Sequence, residues 1–127
     1  MKKIFSVGQC NPDHSSIKSF FERNFECSIK RIDSREEALQ ILKEEKPDLL
    51  IVNRKLDIDY TDGTELIMEM KKNPEFSCIP VMLVSNYPEY QKEAVKLGAV
   101  YGFGKAELDK RETLERVSQI LNRKETV

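Results

Sequence analysis

The chain has 127 residues, of which 39% are hydrophobic and 34% charged, with a formal net charge of −1 and a pI near 5.9. That length fits one domain, residues 1–127, with enough chain for a sizeable core. The charge balance carries no electrostatic footprint for nucleic acid, and no apolar stretch approaches the roughly 20 residues of a membrane span, so neither is expected as a partner.

Met1 to Val7 has two lysines but lacks the apolar core of a signal peptide, and Lys3 to Val7 reads as the first strand, ending in Gly8-Gln9-Cys10. Cys10, Cys27 and Cys78 have no metal-like spacing, and an odd count argues against a disulfide framework. They read as packing residues in a reduced, cytoplasmic compartment. Asn11-Pro12-Asp13 starts the first helix, and Ile17, Phe20 and Phe21 share one of its faces. Cys27 to Ile32 is the second strand. Ser34 and Glu37 form a capping box for a second helix with Ala38, Ile41 and Leu42 inward, closed by Lys46-Pro47.

Pro47 to Asn53 holds the central strand. Its unbroken apolar run, Leu49-Leu50-Ile51-Val52, fits a strand buried on both faces of a parallel sheet. A charged loop from Arg54 to Thr61 follows, and Asp62-Gly63 opens a third helix with Leu66, Ile67 and Met70 inward, closed by Asn73-Pro74. Ile79 to Ser85 is the fourth strand, with Pro80 near its beginning. Asn86, with Glu89 three residues on, is placed to cap a fourth helix whose inner positions are Tyr90, Ala94 and Leu97 and whose end is Gly98 at positive φ. Ala99 to Phe103 is the fifth strand. The last helix runs from about Leu108 to Asn122 with Leu114, Val117 and Leu121 inward, and Arg123 to Val127 is expected to fray.

Regular alternation of strand and helix means a parallel sheet covered on both faces. The expected class is α/β: a flavodoxin-like, doubly wound, five-stranded parallel sheet of order 2-1-3-4-5 flanked by five helices. That order brings Gly8-Gln9-Cys10, Asn53, Ser85 and Lys105 to one edge, where sites form in open parallel sheets.

In order and spacing, Pro47 to Asn53, Asp62-Gly63, Ile79 to Ser85, and Gly98-Ala99 followed by Lys105 resemble the bacterial response-regulator receiver domain over almost the whole chain. The resemblance implies two-component signalling, with a phosphoryl group carried on an aspartate ending strand three. It also implies Mg²⁺ held with two acidic residues ending strand one, and a Ser or Thr ending strand four and a Lys ending strand five on the phosphoryl group. Ser85 and Lys105 match, but Asn53 holds the acceptor position, and the acidic pair falls on Gly8 and Gln9, or on Gln9 and Cys10. An amide is a poor nucleophile, and Mg²⁺ favours carboxylate oxygens over an amide or a thiol. Ala106 stands where the family usually has a proline with a cis bond, so a trans bond and a rearranged loop are expected. Gly102 takes the place of the usual aromatic of strand five, and the Asn53–Asp62 loop is about two residues longer than usual.

Lys105 is read as hydrogen-bonded to Asn53 or Gln9 or turned to solvent, in preference to a retained phosphate contact. Ser85 is read as bonded to nearby backbone. Asp13, Asp57 and Asp59 are read as solvated in preference to substitute metal ligands, and His14 as no phosphate acceptor. Tyr87, Tyr90, Tyr101 and Phe103 are candidate interface residues on the helix 4–strand 5–helix 5 face, for other signalling proteins or a homodimer. The expectation is a pseudo-receiver, with no enzymatic activity, metal or cofactor, acting by phosphorylation-independent protein–protein contact. Its rival is an unconventional phosphoacceptor in a phosphorelay.

Overall fold

The computed structural model describes residues 1–122. Strands β1 (Lys2–Val7), β2 (Cys27–Ile32), β3 (Leu49–Asn53), β4 (Val81–Val84) and β5 (Val100–Phe103) pair in parallel in the order β2-β1-β3-β4-β5. Between and after them come α1 (Asn11–Asn24), α2 (Arg35–Glu44), α3 (Gly63–Lys72), α4 (Pro88–Lys96) and α5 (Arg111–Asn122). This is the flavodoxin-like α/β arrangement that the alternating pattern predicts.

The two-residue period of a strand divides the core. Leu50 and Val52 of β3 point into one cluster with Ala38, Leu66 and Ala94, under α2, α3 and α4. Leu49 and Ile51 point into the other, with Ile17, Phe20 and Val117, under α1 and α5. A strand with both faces covered has no polar face to offer, which is why β3 and β4 read as unbroken apolar runs. Ile41, Tyr90, Leu97 and Leu114 sit only partly buried at the margins of the two clusters. Among the described residues, no helix is long and apolar enough to cross a membrane.

Ser34 caps α2 as its spacing predicts, its Oγ accepting from the Glu37 N–H at 3.1 Å. The Glu37 carboxylate reaches back one residue further, to the Asp33 N–H at 3.1 Å. Ser34→Ala is expected to lower stability by about 1 kcal/mol in urea unfolding, and no change would refute the cap.

Two helix starts differ from expectation. Asn86 does not cap α4; the N-cap is Tyr87, and Pro88 supplies a helical φ without an N–H to satisfy. The Ser85 Oγ accepts from the Tyr87 N–H at 3.2 Å, while the Asn86 Oδ1 turns to the Ala106 N–H at 3.1 Å. α5 starts at Arg111 rather than near Leu108, because Lys105–Glu107 forms a separate 3₁₀ turn. That turn is tied by Gly104 N–H to the Glu107 carboxylate at 2.9 Å and by Thr113 Oγ1 to the Glu107 carbonyl at 2.7 Å. The Lys105–Ala106 bond is trans, like every described peptide bond. The expected fraying of the segment 123–127 falls outside the described residues.

Candidate functional site

The carboxyl ends of β1, β3, β4 and β5 meet along one edge of the sheet. A depression of about 210 Å³ opens there, lined by Asn53, Arg54, Lys55, Val84, Ser85, Asn86, Tyr87 and Lys105. Asn53, Ser85 and Lys105 are therefore brought together as their strand positions predict. The Asn53 Nδ2 donates to the Lys55 carbonyl at 2.7 Å. Ser85 bonds to neighbouring backbone, as expected, through the Tyr87 N–H. Lys105 departs from expectation: its Nζ donates neither to Asn53 nor to Gln9 but to Asp13 Oδ2 at 2.6 Å.

Gly8, Gln9 and Cys10 do not line the depression. Gly8 has φ +79°, and a Cβ there would stand 2.6 Å from the Leu56 Cγ and 3.0 Å from the Leu56 Cα. Leu56 is fully buried, among Val7, Val52 and Leu66. It is driven there by the fold of its own loop. Leu56 N–H donates to the Thr61 carbonyl at 2.9 Å, Tyr60 N–H to the Leu56 carbonyl at 2.7 Å, and Asp57 N–H to the Gly8 carbonyl at 3.0 Å. Lys55 and Asp62 pair across the loop's base, with Nζ–Oδ1 at 3.0 Å. The Gln9 side chain is 1% exposed, and neither its Oε1 nor its Nε2 has a hydrogen-bond partner among the described residues. Cys10 is the N-cap of α1 and gives no side-chain cap.

Asp13 is thus not the solvated loop residue expected of it. Burial works to raise its pKa, but the Lys105 bond and charge, with the nearby Cys10 thiol, outweigh burial and hold it below the ordinary carboxylate value. The Asp59 carboxylate accepts from the Thr61 N–H at 3.0 Å and the Thr61 Oγ1 at 2.7 Å, so it braces the loop. Asp57 is exposed, as read from sequence. Among the described residues, no group of three His, Cys, Asp or Glu is placed to hold a metal ion.

His14 has a buried Nδ1 without a hydrogen-bond partner among the described residues. Burial, with the nearby Arg31 and Lys18 charges, pushes its pKa below the ordinary 6.5. The unfolded chain therefore takes up a proton first as pH falls through 6.5, and the fold loses stability from there down to the folded-state pKa. Urea unfolding at pH 7.5 and at pH 5.5 is expected to show this loss, and His14→Gln to flatten it; an equal slope in the variant would contradict the assignment.

The sequence model of the family described as the response regulator receiver domain matches residues 13–122. The chain belongs to that family. Among solved structures, the Francisella response regulator 1452 receiver domain superposes with TM-score 0.79 at 22% identity, covering 98% of this chain and 99% of that one. The receiver domain of the Colwellia psychrerythraea DNA-binding response regulator gives TM-score 0.79 at 22% identity over 96% and 99%. The phosphorylated cyanobacterial phytochrome response regulator RcpA gives 0.74 at 19% identity over 97% and 95%. No curated protein sequence matches significantly.

The candidate interface of this receiver divides. Phe103 is fully buried in the α1/α5 cluster, its ring 6.2 Å from that of Phe20, and presents nothing to a partner. Two residues apart, Tyr101 and Phe103 would share a face of a regular strand, but β5 carries an extra residue opposite β4 at this point, so Phe103 turns inward while Tyr101 stays outside. Tyr90 is half-buried, covered by the Arg54 guanidinium at 4.2 Å from its ring centroid. Tyr87, edge-on to Tyr90, is 57% exposed, and Tyr101, under Arg116, is 37% exposed.

Three residues of the receiver's site were missed by pattern reading. Leu56 is an apolar residue inside a charged loop, and a glycine at the end of β1 was the sign that something fills that space. Arg54 was counted only as loop charge. Gln91 lies three residues before Ala94 on the buried stripe of α4, and a polar residue there needs partners.

Proposed function

We propose that this receiver signals by protein–protein contact, in a conformation not set by phosphorylation of an aspartate. The observation that carries the reading is Asn53: at the end of β3 the side chain facing the depression is an amide, its nitrogen already bonded to Lys55. An amide oxygen does not form the acyl phosphate that a carboxylate forms.

The surroundings support it. Mg²⁺ takes carboxylate oxygens, commonly one or two together with phosphate. The end of β1 offers a glycine packed on Leu56, a buried neutral amide and a free thiol. These donors do not fit the ion. Lys105, the matching phosphoryl contact, is held by Asp13 instead. The partners are other signalling proteins, reached through Tyr87 and Tyr101, and the α4–β5–α5 face is also the surface for a homodimer. No reaction of its own is assigned to the domain.

Beryllofluoride with Mg²⁺ tests the reading, because it stabilises a receiver only where a carboxylate and the ion meet. The expected melting temperature is the same with and without it. A Mg²⁺-dependent rise would overturn the proposal in favour of an unconventional phosphoacceptor.

A further inference from the structure

The walls of the depression carry three cations, Arg54, Lys55 and Lys105, with two amides and two hydroxyls, and no carboxylate. Two carboxylates lie against those cations. Asp62 is 3.0 Å from Lys55 and 4.0 Å from Arg54, and Asp13 is 2.6 Å from Lys105. Three positive charges against two negative leave one uncompensated at the mouth. Two of its polar groups also have a donor to spare. The Ser85 Oγ is occupied as an acceptor by the Tyr87 N–H, which leaves its proton to give. The Asn86 Oδ1 is occupied by Ala106 N–H, which leaves the amide NH₂ to give. The Arg54 guanidinium rests on the Tyr90 ring, an arrangement that fixes its plane while keeping its N–H edge available.

We infer that this depression is a seat for a carboxylate side chain on an acidic segment of a partner protein. The inference rests on the reading that the site has lost phosphoryl chemistry, and it names the partner's chemistry there. Charge decides for an anion. Size decides against a nucleotide or cofactor, since about 210 Å³ is below the roughly 300–1,000 Å³ of small-molecule sites. The rim decides for a peptide over a free inorganic anion: Tyr87 stands 57% exposed beside the cations, an apolar wall on which the stem of an acidic side chain and its backbone lie.

The test is an amide chemical-shift titration at low salt, without Mg²⁺ or a phosphodonor. The probes are a blocked tetraglutamate peptide, its tetraglutamine counterpart, and inorganic phosphate. The glutamate peptide is expected to shift the amides of Asn53 to Lys55, Ser85 to Tyr87 and Lys105, and the glutamine peptide is not. Arg54→Gln with Lys55→Gln, both on a partly exposed loop, is expected to weaken the effect about tenfold, as is raising the salt. Tyr87→Ala is expected to weaken the peptide and not phosphate. Equal shifts from the two peptides, no shifts at these amides, or tighter binding of phosphate than of the peptide would each overturn the inference. None of these outcomes bears on phosphorylation, which the beryllofluoride experiment tests separately.

Discussion

Gln91→Met is expected to lower the unfolding free energy by about 3 kcal/mol while leaving the side-chain volume nearly unchanged. β5 carries one residue more than β4 opposite it: Met82 pairs with Val100 and Val84 with Phe103, so two steps on β4 face three on β5. Such a bulge leaves an extra residue unpaired in the ladder. Gly102 is at that place, so close to β4 that a Cβ on it would overlap the Leu83 carbonyl. Its N–H donates instead to the Gln91 Oε1 at 2.8 Å, across from α4. The Gln91 Nε2 donates to the Leu83 carbonyl at 2.9 Å and the Ser85 carbonyl at 3.1 Å. A side chain 2% exposed thus closes the gap in the sheet and ties α4 to both strands. Methionine fills the space and supplies no donor, so a buried N–H is left without an acceptor at about 1–3 kcal/mol, with lost carbonyl bonds added. Urea unfolding measures it against Lys92→Ala, an exposed change on the same helix expected to stay within about 0.5 kcal/mol. A Gln91→Met variant as stable as that control would remove the clamp from the account.

Gly8→Asp is the second large effect, and it runs against the intuition that restoring an acid restores a metal site. The expected result is a loss of about 3 kcal/mol and no measurable Mg²⁺ affinity. A side chain at φ +79° is strained, and its Cβ meets Leu56 in a packed core; overpacking of this kind costs about 1–3 kcal/mol and the strained backbone about 1–2. Leu56→Ala also destabilises alone by leaving a cavity. Together the two changes are expected to cost less than the sum of the singles, because each relieves what the other offends. Calorimetric Mg²⁺ titration and urea unfolding read both parts. A Gly8→Asp protein that is as stable as its parent and binds Mg²⁺ would show that the β3–α3 loop does not obstruct the site.

The sheet was legible because each strand's burial is written in its own residues. Leu49 to Val52 and Val81 to Val84 are apolar on successive positions, and only two covered faces explain that. Asn53, Ser85 and Lys105 were legible as a set because strand order alone carries them to one edge. What could not be read is what long side chains do once they arrive. Lys105 reaches Asp13, 92 residues away in sequence, and no local pattern encodes that pair. Leu56 looked like one residue of a charged loop until the loop's own hydrogen bonds turned it under Gly8. Phe103 and Tyr101 differ only in the side of β5 they occupy, and the bulge at Gly102 lies between them. The start of α4 was misassigned to Asn86 because proline at the first helical position competes with a side-chain cap, and Pro88 prevailed.

The central claim is that neutral and apolar groups occupy the places where a receiver would hold its acceptor carboxylate and its metal ligands. Intact mass spectrometry after incubation with acetyl phosphate and Mg²⁺, quenched before an acyl phosphate can hydrolyse, tests it most directly. The account predicts the unmodified mass throughout. A Mg²⁺-dependent adduct of one phosphoryl group per chain would contradict it.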